Sequence, residues 1–157
     1  MVGVAVRTVE WLSEVEMRAW RAFLSSHSRI VRALDAELQA EIGTSLGDHE
    51  VLIMLSENDG AMRMADLAAT VTLSRSGLTR RVDHLVKAGL VERRRCPSDG
   101  RGILAVITDE GRAQLERATP THVAGVRRHF AERFNRKELE ALAKAHERIA
   151  GDEAGGC

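Results

Sequence analysis

Tyrosine is missing from this sequence, and two Trp and three Phe hold the aromatic content to 3%. Apolar burial must therefore come from Leu, Val, Ile and Ala. Proline occurs only twice and alanine is frequent, a balance that favours helix. The two cysteines, Cys96 and the last residue Cys157, make neither a disulfide framework nor a Cys-x-x-Cys pair. Long apolar runs are missing too: the longest aliphatic stretch, Val51 to Leu55, falls far short of a bilayer. Met1 to Val6 is mildly apolar but lacks the basic start and sustained hydrophobic core of a signal peptide. These absences lead us to expect a cytoplasmic chain with no membrane partner. Net charge is zero, with 23 basic and 23 acidic residues, so a whole-chain average would hide any local concentration of charge. What remains, 44% hydrophobic and 29% charged over 157 residues, suits one soluble globular domain with a real core.

Chemistry-bearing motifs are scarce as well. Six histidines raise the question of a metal, yet no His-x-x-x-His, Cys-x-x-Cys or His-Glu-x-x-His spacing occurs. His122 and His129 lie two turns apart, roughly 10 Å along a helix, too far to share one ion. His27, His122 and His146 fall on apolar stripes, where a core or interface imidazole is a simpler explanation than a metal site assembled from several helices. Asp48, His49 and Glu50 are neighbours on a helix and do not point at a common centre. Gly100-Arg101-Gly102 is a hairpin turn rather than a phosphate loop, and no serine sits in a nucleophile elbow. We expect no enzyme, no catalytic residue, no metal and no cofactor.

The informative stretch runs from Ser74 to Arg101. Leu78, Val82 and Leu85, with Val86 beside them, repeat at helical spacing and give a face built for burial. Ser74 is a good N-cap, and Gly89 stops the helix. The opposite face carries Ser76, Arg80, Asp83 and Lys87, flanked by Arg75 and Thr79 near the N-terminal end. That is the layout of a helix whose first half enters a major groove. Val91 to Cys96, a turn, and Ile103 to Thr108 then read as a β-hairpin with an arginine at its tip. From Val71 to Leu104 there are eight basic and three acidic residues, a local balance of +5. A solvated helix face and an ordinary hairpin would not need that concentration; phosphate neutralisation does.

LVKAGLVERR (Leu85 to Arg94), the wing Asp99-Gly100-Arg101 and the run Ile107-Thr108-Asp109-Glu110-Gly111 resemble the MarR-type winged helix-turn-helix regulators. The last run is similar to the family's Leu-Thr-x-x-Gly signature, with isoleucine for leucine. The resemblance extends from about Trp11 to Ile149. It implies a mainly α fold with a small β-hairpin wing, a winged helix-turn-helix flanked by long N- and C-terminal dimerisation helices. Residues 1–157 then form a single MarR-like domain, with a DNA-binding lobe over 48–108 and a helical dimerisation lobe from 9–47 and 109–150.

Helical stripes fit this order. Val9 to about Ile42 reads as one long helix carrying Leu12, Val15, Ala19, Phe23, His27, Ile30, Leu34 and Leu38. Asp48 is expected to cap a helix to about Glu57, and Met64 to Val71 to pack on the recognition helix. The acidic face of Asp48, Glu50, Glu57, Asp59 and Asp66 should turn away from DNA. Thr108 caps a helix in which Pro120 should cause a kink or a split. Asn135 and Glu138 make a capping box for a last helix whose Leu139, Leu142, His146 and Ile149 form a buried stripe.

The expected function is sequence-specific transcriptional regulation, as a repressor released by a small aromatic or phenolic anion. Alternatives are a constitutive DNA-binding protein that senses nothing, a winged helix used for protein contact, and a redox sensor through Cys96. The peroxide-sensing members use a cysteine in the first long helix, where this sequence has none. Candidate DNA contacts are Ser74, Arg75, Ser76, Thr79 and Arg80 on the helix, and Arg94 and Arg95 on the backbone. The family pattern adds Arg101 in the minor groove, oriented by Asp99. Trp20, Leu24 and His27, with His49 and Leu52, are the candidate ligand pocket, since the resemblance implies one where the first, second and fifth helices meet. Surplus apolar surface on the first and last helices points to a homodimer, and two-fold symmetry to a pseudo-palindromic operator in double-stranded DNA.

Overall fold

The structure, a computed structural model, describes residues 10–70, 75–96 and 99–151. Helix α1 (Glu14–Ile42) starts where Ser13 and Glu16 cap each other: the Glu16 amide donates to the Ser13 hydroxyl, and the Ser13 amide donates to the Glu16 carboxylate at 2.7 Å. That box, rather than the apolar stripe, sets the boundary, so the helix begins at Glu14 and leaves Leu12 ahead of it; Val9 lies outside the described residues. Gly43, at φ 74°, ends it. Helix α2 (Leu46–Glu57) is capped by the Ser45 hydroxyl, which accepts from the Asp48 amide at 3.0 Å. The expected cap, Asp48, therefore lies inside the first turn, and its carboxylate is buried rather than on an outer acidic face.

Strand β1 (Ala61–Arg63) precedes helix α3 (Met64–Thr70) and helix α4 (Arg75–Lys87), and strands β2 (Val91–Cys96) and β3 (Asp99–Ile107) follow. All three strands form one antiparallel sheet in the order β1-β3-β2. The sequence pattern missed β1, because three residues are too few to show alternation. Val51, Leu52, Leu55, Leu67, Leu78, Val82, Leu85, Val91, Ala105 and Ile107 make one core, which fixes α4 and the sheet to α2 and α3. Burying such aliphatic side chains stabilises the fold by about 1.5–3 kcal/mol each.

Thr108 caps helix α5 (Asp109–His129) by accepting from the Gly111 amide at 3.0 Å. The glycine of the Thr-x-x-Gly signature has a steric reason: a Cβ there would lie 2.1 Å from the Leu90 carbonyl oxygen. Pro120 does not split α5. Pro120 and Glu116, the residue whose carbonyl a proline at 120 leaves without its helical partner, are both exposed, and the helix runs on to His129 before a 3₁₀ turn (Ala131–Arg133). Helix α5 runs antiparallel to α1. The Thr121 hydroxyl donates to Glu41 at 2.8 Å, and Arg128 and His129 donate to Glu37 at 2.6 and 2.8 Å. The His129 bond is the main reason the Glu37 carboxyl sits below the usual carboxylate range. Gly125 lets the helices approach closely, since a Cβ would meet a Leu34 methyl at 2.6 Å. Leu34, Leu38, Leu46 and Ala118 form a second, smaller core there.

Helix α6 (Arg136–Gly151) opens with the Asn135–Glu138 box at 2.8 and 3.1 Å. Its apolar stripe is not buried within the chain: Leu139 and Leu142 are half-buried, His146 is exposed and Ile149 is 71% exposed. Trp11, Leu12, Val15, Trp20, Phe23 and Leu24 at the other end are exposed as well. No helix of the described residues is long and apolar enough to cross a membrane.

Candidate nucleic-acid interface

Helix α4 presents two distinct faces. Leu78, Val82 and Leu85 are fully buried, and this pins the opposite face, with Ser76, Thr79, Arg80 and Lys87, to the solvent side. The side chains of Arg80 and Lys87 make no ion pair or hydrogen bond among the described residues. Asp83 pairs with Arg93 on β2, tying the helix to the hairpin. Beside that pair, Arg63, Met64, Ala65, Thr79, Arg93, Gly102 and Ile103 line a groove of about 520 Å³. The outer edge of β2 exposes Glu92, Arg93, Arg94 and Arg95 in succession, with an irregular register at Arg95 and Cys96. Arg94 is held by Glu92 through two bonds of 2.9 and 3.2 Å, which lowers the Glu92 carboxyl and raises the Arg94 guanidinium. Arg95 has no such partner among the described residues.

Of the nine expected DNA contacts, Ser76, Thr79, Arg80, Arg94 and Arg95 are exposed on α4 and β2. Ser74 lies outside the described residues. Arg75 opens α4 and Asp99 and Arg101 lie on β3, but their side chains are likewise outside the description. Arg81, one of the eight basic residues of the stretch, turns inward: its Nη1 donates to the Ser45 hydroxyl at 2.8 Å and to Asp48 at 3.1 Å. Cys96 is only 7% exposed, against the access that a redox-sensing thiol requires.

The five expected ligand residues fall into two groups. Trp20, Leu24 and His27 are exposed on α1, where Trp20 and His27 flank Phe23 and His146 of α6 packs on it at 5.7 Å. His49 and Leu52 are buried in α2. The His49 ring meets His122 of α5 at 4.8 Å, next to the Thr121–Glu41 bond. His27 lies 14 residues before Glu41 on α1, roughly 21 Å along the axis, so one chain does not bring the two groups into a single pocket. Neither His49 ring nitrogen has a hydrogen-bond partner among the described residues. Burial, and secondarily the facing His122, pulls the His49 imidazole down to about 4. His122 is lowered by burial too, with Glu50 opposing. No group of three or more His, Cys, Asp or Glu among the described residues is arranged to hold a metal ion.

The MarR family profile matches residues 42–102, from the last residue of α1 into β3. Among solved structures, AbsC, a MarR family transcriptional regulator from Streptomyces coelicolor, is 38% identical at a TM-score of 0.85, covering 94% of this chain and 100% of its own. The chain belongs to the MarR family. This MarR-family chain is also similar to Sco3205 of Streptomyces coelicolor, a MarR family transcriptional regulator solved in complex with DNA: 32% identity, TM-score 0.84, covering 92% of this chain and 91% of that one. The HTH-type transcriptional repressor YetL of Bacillus subtilis (strain 168) is 27% identical over 112 residues, 69% of this chain. The chain spans 65% and 67% of the lengths of the curated relatives it matches. The winged helix of this MarR-family chain is thus shared with regulators of transcription.

Proposed function

We propose that this MarR-family protein binds double-stranded DNA sequence-specifically through α4 and the β2–β3 wing, as a homodimeric repressor in the cytoplasm. The carrying observation is α4 itself, whose buried face leaves Ser76, Thr79 and Arg80 outward beside exposed Arg95. Arg80 suits bidentate readout of a guanine, and Arg95 suits a phosphate. Arg101 with Asp99 at the wing tip belongs to the same reading. Repression follows if the operator overlaps a promoter. Exposed Leu12, Val15, Trp20 and Ile149, with half-buried Leu139 and Leu142, supply the apolar surface that a second copy would cover. A dimer then meets a pseudo-palindromic operator with half-sites about one helical turn apart.

Release by a small aromatic anion is the finer part of the proposal. Trp20 and His27 offer an aromatic wall and an imidazole donor, with Leu24 beside them. An anion that reaches His49 and Leu52 has to part α2 from α5, and α2 carries the seat of α4. Coupling of about 1–3 kcal/mol suffices for release.

The test is operator selection from random DNA followed by titration at several salt concentrations. Arg80→Ala should cost about 1–3 kcal/mol and relax specificity at one base step. Arg95→Ala should weaken all sequences alike and reduce the salt slope by about one. Unchanged specificity in Arg80→Ala, or a stable monomer at micromolar concentration that still binds tightly, would overturn the reading. For the ligand, phenolic acids are titrated into a Trp11→Phe background while Trp20 fluorescence and operator affinity are followed together; binding without loss of affinity refutes release.

A further inference from the structure

The first turn of α2 is a seat on which three other elements rest. The Leu46 amide donates to Asp35 of α1 at 2.8 Å, and His49 packs on His122 of α5. Toward α4, Ser45 and Asp48 both accept from Arg81, and His84 Nδ1 stands 3.5 Å from the second oxygen of Asp48. Arg81 follows Leu78 by three residues and precedes Leu85 by four, so it shares their side of the helix rather than that of Arg80. Its guanidinium lies flat against Gly47, where a Cβ would approach the central carbon to 2.5 Å and the two terminal nitrogens to 2.7 and 2.8 Å. Asp48 is 8% exposed and Arg81 28%, and a pair with one partner buried keeps one geometry better than a fully exposed surface pair does.

We infer that Arg81 is a positioning residue for DNA recognition: latched to Ser45 and Asp48, it sets the rotation and depth of α4 in the groove without touching DNA. This rests on the reading that α4 meets DNA. Core packing at Leu78, Val82 and Leu85 holds the helix to the body, but aliphatic contacts tolerate small rotations. A directional bond across the top of the helix does not. Its effect therefore falls on base readout, which requires each donor at a fixed place, and spares the phosphate contacts that tolerate a shift.

Gly47→Ala tests this without changing charge. The added methyl occupies the guanidinium's place, and because Arg81 is the flexible partner it is Arg81 that must leave. Alanine is otherwise the better helix residue, so the fold is retained. We expect Gly47→Ala and Arg81→Ala each to weaken selected-operator binding by about tenfold, the size of one mismatched base pair. Affinity for random DNA and the slope of log affinity against log salt should hold in both. If Arg81→Ala instead lowers the slope by about one and weakens both DNAs alike, Arg81 is a phosphate contact and the inference fails. It fails equally if folded Gly47→Ala binds its operator as the parent does. Absence of any specific operator for the parent protein would instead refute the underlying DNA-binding reading.

Discussion

Replacing His49 by leucine separates the energetics of a buried imidazole from every other acid-sensitive group. The residue is 1% exposed, its ring lies 4.8 Å from His122, and among the described residues neither nitrogen finds a hydrogen-bond partner. Its folded-state value of about 4 lies below the ordinary 6.5, so between those limits the unfolded chain takes up a proton that the folded chain refuses. Stability from this residue is therefore full above pH 6.5 and falls as pH drops towards 4. Integrated over that proton, the loss from pH 7.5 to pH 5 is about 2 kcal/mol. Leucine fills similar space and leaves no polar atom unpaired, so at pH 7.5 His49→Leu should equal or exceed the parent in stability. Urea unfolding followed by far-UV circular dichroism at pH 7.5, 6 and 5 gives the comparison, because His122 and the carboxylates titrate in both proteins. The variant's advantage should grow by about 2 kcal/mol across the range. Parallel losses in the two proteins, or a variant far less stable at pH 7.5, would refute the account of His49 as a strained neutral base.

Gly111→Ala should destabilise by about 2 kcal/mol, because its methyl would collide with the Leu90 carbonyl, fixed backbone that also accepts from the Thr108 amide. Calorimetry should show Tm falling by roughly 4–8 °C, and an unchanged Tm would mean that this contact can relax. Asp83→Ala frees Arg93 from its ion pair, so affinity for random DNA should rise and the salt slope steepen by about one. An unchanged slope would place Arg93 away from the phosphates.

Much of the fold was legible because it follows periodic or local rules. The apolar spacing of Leu78, Val82 and Leu85, the Asn135–Glu138 box and the Thr108 cap are interactions within one or two turns, and each stands where the residues suggested. The start of α1 is not legible in the apolar stripe, which says which face is buried but not where hydrogen bonding begins; the Ser13–Glu16 box decides that. Asp48 carries the composition of a cap, yet Ser45 takes the role and releases Asp48 for Arg81, 33 residues away. Such distant pairings, like that of His49 with His122, leave no trace in local spacing. Arg81 adds to the basic composition of the stretch, but its interval from Leu78 and Leu85 puts it on the inward side, where it bonds Ser45 and Asp48. The surplus of apolar surface on α6 was legible too, and the chain's own fold leaves it largely uncovered: Ile149 is exposed, and Leu139 and Leu142 are only half-buried.

Helix α1 holds its fully buried residues, Leu34 and Leu38, in its last third, while the 17 residues from Glu14 to Ile30 include none. A helical segment of that length is marginal in water unless something packs on it. In the dimeric reading its integrity comes from the second copy, and this ties the protein's lifetime to its abundance. Newly made chains at low concentration would present a fraying segment to cellular proteases, whereas paired chains would hide it. Degradation would then slow as the protein accumulates, and the dimer proposed to bind DNA would build up over a narrower span of synthesis rates than association alone allows.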